Sequence, residues 1–297
     1  MAKNILHMVT PLAHMSPFDV NMALDAGYDA AVPYTNVSLG EVTGLVQDAM
    51  FSRSPRDATR TGFFIAGKDA FLALDMLDAA SKALLKPFEI SLFADPAGSF
   101  TTAAAMIAVV EKTLKEMKGR GLAGAAVSIF GATGVVGTAA GVIGALEGAN
   151  VTFVGHDGTQ RVARHAEEVK RRFGVDIAVA DGSTAEKKAA IVASTEIALC
   201  AAKAGVRVLD ASQIASGERL LVAADVNAVP PLGVEGLDLH ANGTPLGGRG
   251  ALGVGALAIG NVKYRTEAGL FREMAASASP LKLDFRQAFV LARSFAL

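Results

Sequence analysis

The sequence predicts an α/β protein of two domains: a doubly wound parallel sheet, a smaller α/β domain before it, and a cleft between them. Three observations carry this. Hydrophobic residues make up 51% of the 297 positions. They are supplied mainly by Ala, Val and Leu beside abundant Gly, the makeup of parallel strands buried on both faces. Short apolar runs alternate with capped amphipathic stretches, the order of βα units. Third, residues 125–157, AAVSIFGATGVVGTAAGVIGALEGANVTFVGHD, read as strand, glycine turn, helix and strand.

The N-terminal domain is expected over 1–120. Asn4–Val9 is its first strand. Ser16-Pro-Phe-Asp19 starts a helix, with Pro early and Phe18, Met22 and Ala26 on one face. Ala30–Val32 is a short apolar segment before Pro33-Tyr34-Thr35-Asn36. Ser38 and Glu41 have capping-box spacing. Residues 52–61 form a polar loop. Thr61–Ala66 is a strand, Phe71–Leu85 a helix, Pro87–Phe93 a strand. Thr101–Lys118 is a long helix linking the domains, ended by Gly119-Arg120-Gly121.

The dinucleotide-binding domain is expected over 121–265. Ala125–Phe130 is its first strand, followed by Gly131-Ala132-Thr133-Gly134-Val135-Val136-Gly137 and a small-residue helix to about Gly148. Val151–Val154 then ends in Gly155-His156-Asp157. This is the Rossmann-type order. Gly131 allows the tight turn, Gly134 lets the backbone approach a pyrophosphate, and Gly137 lets helix and strand pack closely. The helix N-terminus adds N–H donors and a positive dipole end. The spacing is GxxGxxG, with Ala132 where a second glycine is usual. Asp157 falls about twenty positions after the last glycine, where an acidic residue meets the adenosine ribose. Later strands are expected at Val175–Val179, Ile197–Leu199, Val206–Leu209 and Leu221–Ala224, with a helix at 184–194. Residues 266–297 read as two helices interrupted near Ser279-Pro280, which return to complete the first domain.

The bulk numbers exclude several classes. A formal net charge of −1 gives no long-range attraction for nucleic acid or anionic membrane. The single Cys200 excludes an internal disulfide framework and a Cys-rich metal site. Mean hydropathy is high at +0.37, yet no uninterrupted apolar run reaches about 18 residues. The opening MAKNILHMVTPLAHMSPFD lacks the apolar region of a signal peptide. A soluble cytoplasmic protein is expected. The five histidines have no metal-ligand spacing, so no metal is expected.

Three further segments bear polar groups at strand ends. In Ala94-Asp95-Pro-Ala-Gly98-Ser99-Phe-Thr101-Thr102, the polar residues have the types to bond a heterocycle. Taken alone, the segment reads better as a helix cap with Asp95 in a turn. In Asp225-Val-Asn227-Ala-Val-Pro230-Pro231-Leu-Gly233, Asn227 offers the donor and acceptor a nicotinamide carboxamide needs; a rigid loop explains it equally well. Cys200-Ala201-Ala202-Lys203 follows a strand, with small residues where a cofactor passes. Lys203 reads as a phosphate or substrate contact or as a solvated lysine, and Cys200 as a small buried hydrophobe. Arg161 begins a basic helix and is placed for a ribose 2′-phosphate if NADP binds. No nucleophile elbow, P-loop or paired carboxylates occur, so the chemistry belongs to a cofactor, NAD and/or NADP.

These motifs together resemble the bacterial NAD(P)-dependent methylenetetrahydromethanopterin dehydrogenases of one-carbon metabolism. The matching residues are Ser16-Pro-Phe-Asp19, Thr35-Asn36-Val37, Asp95…Gly98-Ser99…Thr101-Thr102, the glycine loop, Asp225–Gly233 and Gly247–Gly253, in order along most of the chain. The resemblance implies a pterin-binding domain, a dinucleotide domain and a homo-oligomer, a trimer or a multiple of one. It implies hydride transfer from a methylene carbon flanked by two nitrogens, which leaves a methenyl cation and needs no general base. It places formaldehyde oxidation in methylotrophy as the setting. Asp19 and Asp95 are then the carboxylates near the developing charge. Thr102, Asn36 and Lys203 position the pterin, with Ser99 and Thr101 as further substrate contacts. Strictly NADP-dependent members carry Arg directly after the glycine ending the second strand. Here His156 and Asp157 follow it, and a carboxylate favours a free ribose diol. The branch accepting NAD is therefore implied, with His156 beside the ribose. The alternatives are a methylenetetrahydrofolate dehydrogenase, and an NAD(H)-sensing regulator without turnover.

Overall fold

The structure, a computed structural model, describes residues 2–247 and 249–296. Met1, Leu297 and Gly248, the last within the Gly247–Gly253 segment, lie outside the described residues. The chain divides into two units, Met1–Thr101 with Tyr264–Leu291, and Thr102–Lys263 with Ala292–Leu297.

The elements of the first unit alternate in sequence: β1 (Ile5–Val9), α1 (Pro17–Asp25), β2 (Ala30–Tyr34), α2 (Val42–Phe51), β3 (Thr61–Ile65), α3 (Ala70–Ala83) and β4 (Ser91–Ala94). Local chemistry sets their starts. The Ser16 hydroxyl accepts from the Asp19 N–H at 3.4 Å, and Asp69 from Leu72 at 2.8 Å. The Ser38–Glu41 capping box forms, but on a one-turn 3-10 helix, Leu39–Glu41, ahead of α2. Strands β3 and β4 are buried at every position, as a central parallel strand covered on both faces requires. Of the expected Pro87–Phe93 strand only Ser91–Phe93 pairs with β3, and the pairing runs on to Ala94.

Helix α4 (Ser99–Lys118) crosses from the first unit to the second. The second unit continues with β5 (Ala126–Phe130), α5 (Val135–Leu146), β6 (Asn150–Gly155), α6 (Gln160–Phe173), β7 (Ala178–Asp181), α7 (Ala185–Ser194), β8 (Ile197–Cys200), α8 (Ala211–Ser216), β9 (Val222–Asp225), β10 (Asn242–Leu246) and β11 (Ala251–Val254). The chain ends in α9 (Ala256–Ala276), β12 (Lys282–Leu283) and α10 (Phe285–Ala296). The division therefore falls at Thr101/Thr102 inside α4, not at residue 120, and the returning segment starts at Tyr264, inside α9. Ala292–Leu297 stays with the second unit, and Arg293 accounts for it. Its guanidinium bonds Glu111 on α4 at 2.7 and 2.9 Å. Burial alone would raise the Glu111 carboxyl; Arg293 and Lys115 override that and hold it below the usual range.

The first sheet has the order β2-β1-β3-β4-β12, every pair parallel. Phe64, Phe93 and Phe271 meet with ring centroids 5.2–5.3 Å apart, packing α9 against β3 and β4. The second sheet has the order β7-β6-β5-β8-β9-β11-β10, parallel except for β10.

Several elements depart from expectation. Val206–Leu209 is not a strand. Val208 and Leu209 bond the carbonyl of Gly233 in a loop, and β9 already occupies the place beside β8. The Val175–Val179 strand lies further on, at Ala178–Asp181. Strands β10, β11 and β12 and helix α8 were not anticipated, because each is short and rests on tertiary partners. Helix α9 starts ten residues before the expected Thr266, at Ala256.

Candidate functional site

In an open α/β sheet, ligands gather at the carboxyl ends of strands where the strand order reverses. The second sheet reverses between β5 and β8. Gly131 follows β5 at φ +81°, and a Cβ there would stand 2.5 Å from the backbone of Ala201, which follows β8. Only glycine allows this junction. Gly137 is equally confined, its Cβ position 2.5 Å from the Gly131 carbonyl. Gly134 differs: its φ of −76° is ordinary, its nearest neighbour is the Gly131 carbonyl at 3.3 Å, and it is exposed. Two glycines thus close the turn, and the third leaves its outer side open.

Helix α5 begins at this open glycine with no side-chain cap. The N–H groups of its first turn, Val135, Val136 and Gly137, have no partner within the helix. A cleft of about 440 Å³ lies in front. Gly131, Thr133 and Gly134 line it from one side, Ala201, Ala202 and Lys203 from another. Phe130, Val154 and Val208 give it an apolar wall. Ala132 is buried behind the loop. A bare backbone cradle, an uncapped helix start and an apolar slot fit a dinucleotide.

The expected ribose corner is partly rearranged. His156 and Arg161 line the cleft, and Asp157 does not. Arg161 donates to His156 Nδ1 at 2.9 Å, and its Nε is 3.8 Å from the Asp157 carboxylate. Lys188 and Arg207 also line the cleft. Lys188 Nζ bonds the Val208 carbonyl at 2.8 Å, and Arg207 pairs with Glu235 at 2.9 Å. The sequence reading missed both. Lys188 sits among the charges of an ordinary helix, and Arg207 in a stretch taken for a strand, so no local signal marks either.

Asn227 is committed to its own loop. Its side-chain oxygen accepts from Val229 N–H at 2.9 Å, and its amide donates to the Pro231 carbonyl at 3.2 Å. Asp225 closes the same loop, accepting from Asn227, Gly233 and Val234 N–H groups. Burial holds its carboxyl above the ordinary range despite these donors. The rigid-loop alternative accounts for every one of these bonds. Cys200 is fully buried, which pushes its thiol well up, as suits a hydrophobe rather than a nucleophile.

In the first unit the strand order reverses between β1 and β3. Asn36 follows β2, is exposed, and has φ +56°. An asparagine tolerates this left-handed region better than most residues. Lys68, after β3, is exposed as well. Beyond β4 the polar groups are mostly spent. Asp95 is wholly buried; one oxygen accepts from the Phe100 and Thr101 N–H groups at 2.8 and 3.2 Å, the other from the Thr101 hydroxyl at 2.6 Å. Asp95 therefore caps α4, and buried Thr101 completes the cap. Neither side chain reaches the surface, and the helix-cap alternative accounts for these bonds. Ser99 and Thr102 are half-buried, and Asp19 is buried in the first turn of α1.

Two α/β units, one with a glycine turn at its switch point, define a protein of the Rossmann-type fold. A solved structure of shikimate 5-dehydrogenase from Listeria monocytogenes shares the fold, with a TM-score of 0.53 at 14% identity over 96% of this chain and 95% of that one. Residues 17–97 match the family described as methylene-tetrahydromethanopterin dehydrogenase, N-terminal. The chain is 53% identical over 292 residues to an NAD(P)-dependent methylenetetrahydromethanopterin dehydrogenase of Methylorubrum extorquens, covering 98% of each. It is 29% identical to that organism's bifunctional protein MdtA over the full length of both. The chain belongs to the NAD(P)-dependent methylenetetrahydromethanopterin dehydrogenase family.

Proposed function

We propose that this chain oxidises a methylenetetrahydromethanopterin to the methenyl form with NAD or NADP. The observation that carries the reading is the open cradle at Gly134, in a chain that shares 53% identity with a relative named for this reaction. When bound, the nicotinamide supplies the hydride acceptor. The protein's own task is binding and orientation, because the two nitrogens beside the methylene carbon share the charge it leaves.

Gly131, Thr133, Gly134 and the N–H groups of Val135 and Val136 hold the pyrophosphate in this reading. Ala201 and Ala202 admit the cofactor by their small size, and Lys203 meets a phosphate or the pterin. His156 and Arg161 meet the adenosine ribose, and Asp157 stands beside Arg161 at the edge of the cleft. Asn36 and Ser99 of the first unit and Thr102, the first residue of the second, hold the pterin. Asp19 contributes its charge from the first turn of α1. Asp95 and Thr101 act only by holding the start of α4. A homo-oligomer of three chains or a multiple, a cytoplasmic location and formaldehyde oxidation by methylotrophs extend the same reading. No helix among the described residues is long and apolar enough to cross a membrane.

The test is a spectrophotometric assay of the purified protein with the methanopterin and folate carriers and with both nucleotides. Turnover is expected with the methanopterin carrier. NADH binding without turnover on either carrier would overturn the proposal in favour of a sensor.

A further inference from the structure

The glycine loop is held from behind by a pair of side chains from two helices. Thr138, on the second turn of α5, is 2% exposed. Its hydroxyl oxygen is 2.8 Å from the Gly134 carbonyl, 3.3 Å from the Ala132 carbonyl and 2.7 Å from Nε2 of His165 on α6. The ring of His165 lies 5.9 Å from that of Phe153 on β6.

A hydroxyl carries one proton, and the two carbonyls can only accept it. With Nε2 of His165 protonated, the ring donates to the hydroxyl at 2.7 Å and the hydroxyl proton goes to the nearer carbonyl, that of Gly134. Each peptide is planar and trans, so its C=O and the next residue's N–H point in opposite directions. The Gly134 carbonyl, held inward by the Thr138 hydroxyl at 2.8 Å and by the Thr138 N–H at 2.9 Å, aims the N–H of Val135 outward. Thr133 lines the cleft, and Val135 opens α5.

We propose that Thr138 and His165 are positioning residues for the dinucleotide: His165 Nε2–H orients the Thr138 hydroxyl, which adds a second hydrogen bond to the Gly134 carbonyl and so fixes the Val135 N–H toward the pyrophosphate. The proposal rests on the reading that this loop holds the cofactor. His165 stands one helical turn beyond Arg161, so α6 serves both the ribose corner and the loop. The pair acts on the pyrophosphate, which NAD and NADP share, and its loss must weaken both nucleotides alike.

Calorimetric titration of NAD and NADP into variants tests it. His165→Phe keeps a ring and removes the donor; Thr138→Val keeps the shape and removes the hydroxyl. Each is expected to raise Kd for both nucleotides about five- to tenfold, the effect of one net hydrogen bond. KM for the pterin should stay unchanged. His165→Gln, which places an amide N–H near Nε2, and Thr138→Ser should recover most of the loss. The double variant should be little worse than either single one. Nitrogen NMR of the imidazole should show Nε2 protonated and shifted on NAD addition. Unchanged nucleotide Kd in both single variants overturns the proposal. So does an equal rise in pterin KM that Gln and Ser fail to rescue, which would mark a merely structural pair. Full NAD affinity in Gly134→Val would instead overturn the cofactor reading on which the pair depends.

Discussion

Helices α4 and α5 start in opposite ways, although both follow the carboxyl end of a parallel strand. At α4 the protein supplies its own anion: Asp95 takes two backbone N–H groups and the Thr101 hydroxyl, out of reach of solvent. At α5 the cap position is Gly134, and no side chain fills the role. A helix start must be satisfied by something. Where a carboxylate is built in, the segment is architecture. Where glycine stands before an open cleft, the partner comes from outside. Polar residue types alone point the wrong way here, because the polar segment is closed and the nearly apolar one is the cradle.

The comparison breaks most sharply if α5 is given the cap of α4. Gly134→Asp keeps ordinary N-cap dihedrals, φ −76° and ψ 164°, while its Cβ presses on the Gly131 carbonyl at 3.3 Å. The gain of a cap offsets that contact, so apo stability should change by less than about 1 kcal/mol, while nucleotide affinity falls more than about a hundredfold, a carboxylate having replaced the phosphate. Thermal melting and calorimetry on one sample read both. Retained affinity would mean that α5 is not the anion site.

The reverse change, Asp95→Ala, strips α4 of its carboxylate. Two N–H groups then lie buried without their acceptor, and the Thr101 hydroxyl is left with the Gly98 carbonyl at 3.1 Å. Stability should drop by about 2–3 kcal/mol in urea titration. NAD Kd should move less than about twofold, being set by contacts in the other unit. A large loss of NAD affinity with stability intact would place Asp95 at the ligand after all.

A smaller effect separates the two nucleotides at the corner of α6. Arg161 lines the cleft while Asp157 stands outside it. Arg161→Ala should weaken NADP about tenfold and NAD less than about twofold. Equal weakening of both would move the choice of nucleotide elsewhere, to Lys188 or Arg207. The smallest effect concerns pH. With no general base required, kcat should vary by less than about twofold between pH 6 and 8, where such a base would titrate. A steep single-step profile abolished in Asp19→Asn would show that α1 carries a base.

Much of the architecture is legible along the chain because it is local. Ser16 and the Gly131–Gly137 turn announce where helices start, and a cap needs only its own few residues. The glycine loop is legible for the same reason: a βαβ unit with its turn is a contiguous segment. The terminal elements are less so. β12 has two residues and exists only because β4 offers it an edge.

The sequence by itself determined the alternation of elements, the dinucleotide unit and the cofactor class, since each rests on short-range periodicity and glycine spacing. Only the tertiary structure decided which polar residues are spent and which remain open. Asp95, Thr101 and Asn227 are residue types that ligands favour, yet each is consumed by neighbours two to six positions away. Lys188 and Arg207 look ordinary in sequence and arrive at the cleft from separate segments. Burial and partnership depend on what the rest of the chain brings near, and a carboxylate already surrounded by N–H donors has nothing left to offer a substrate.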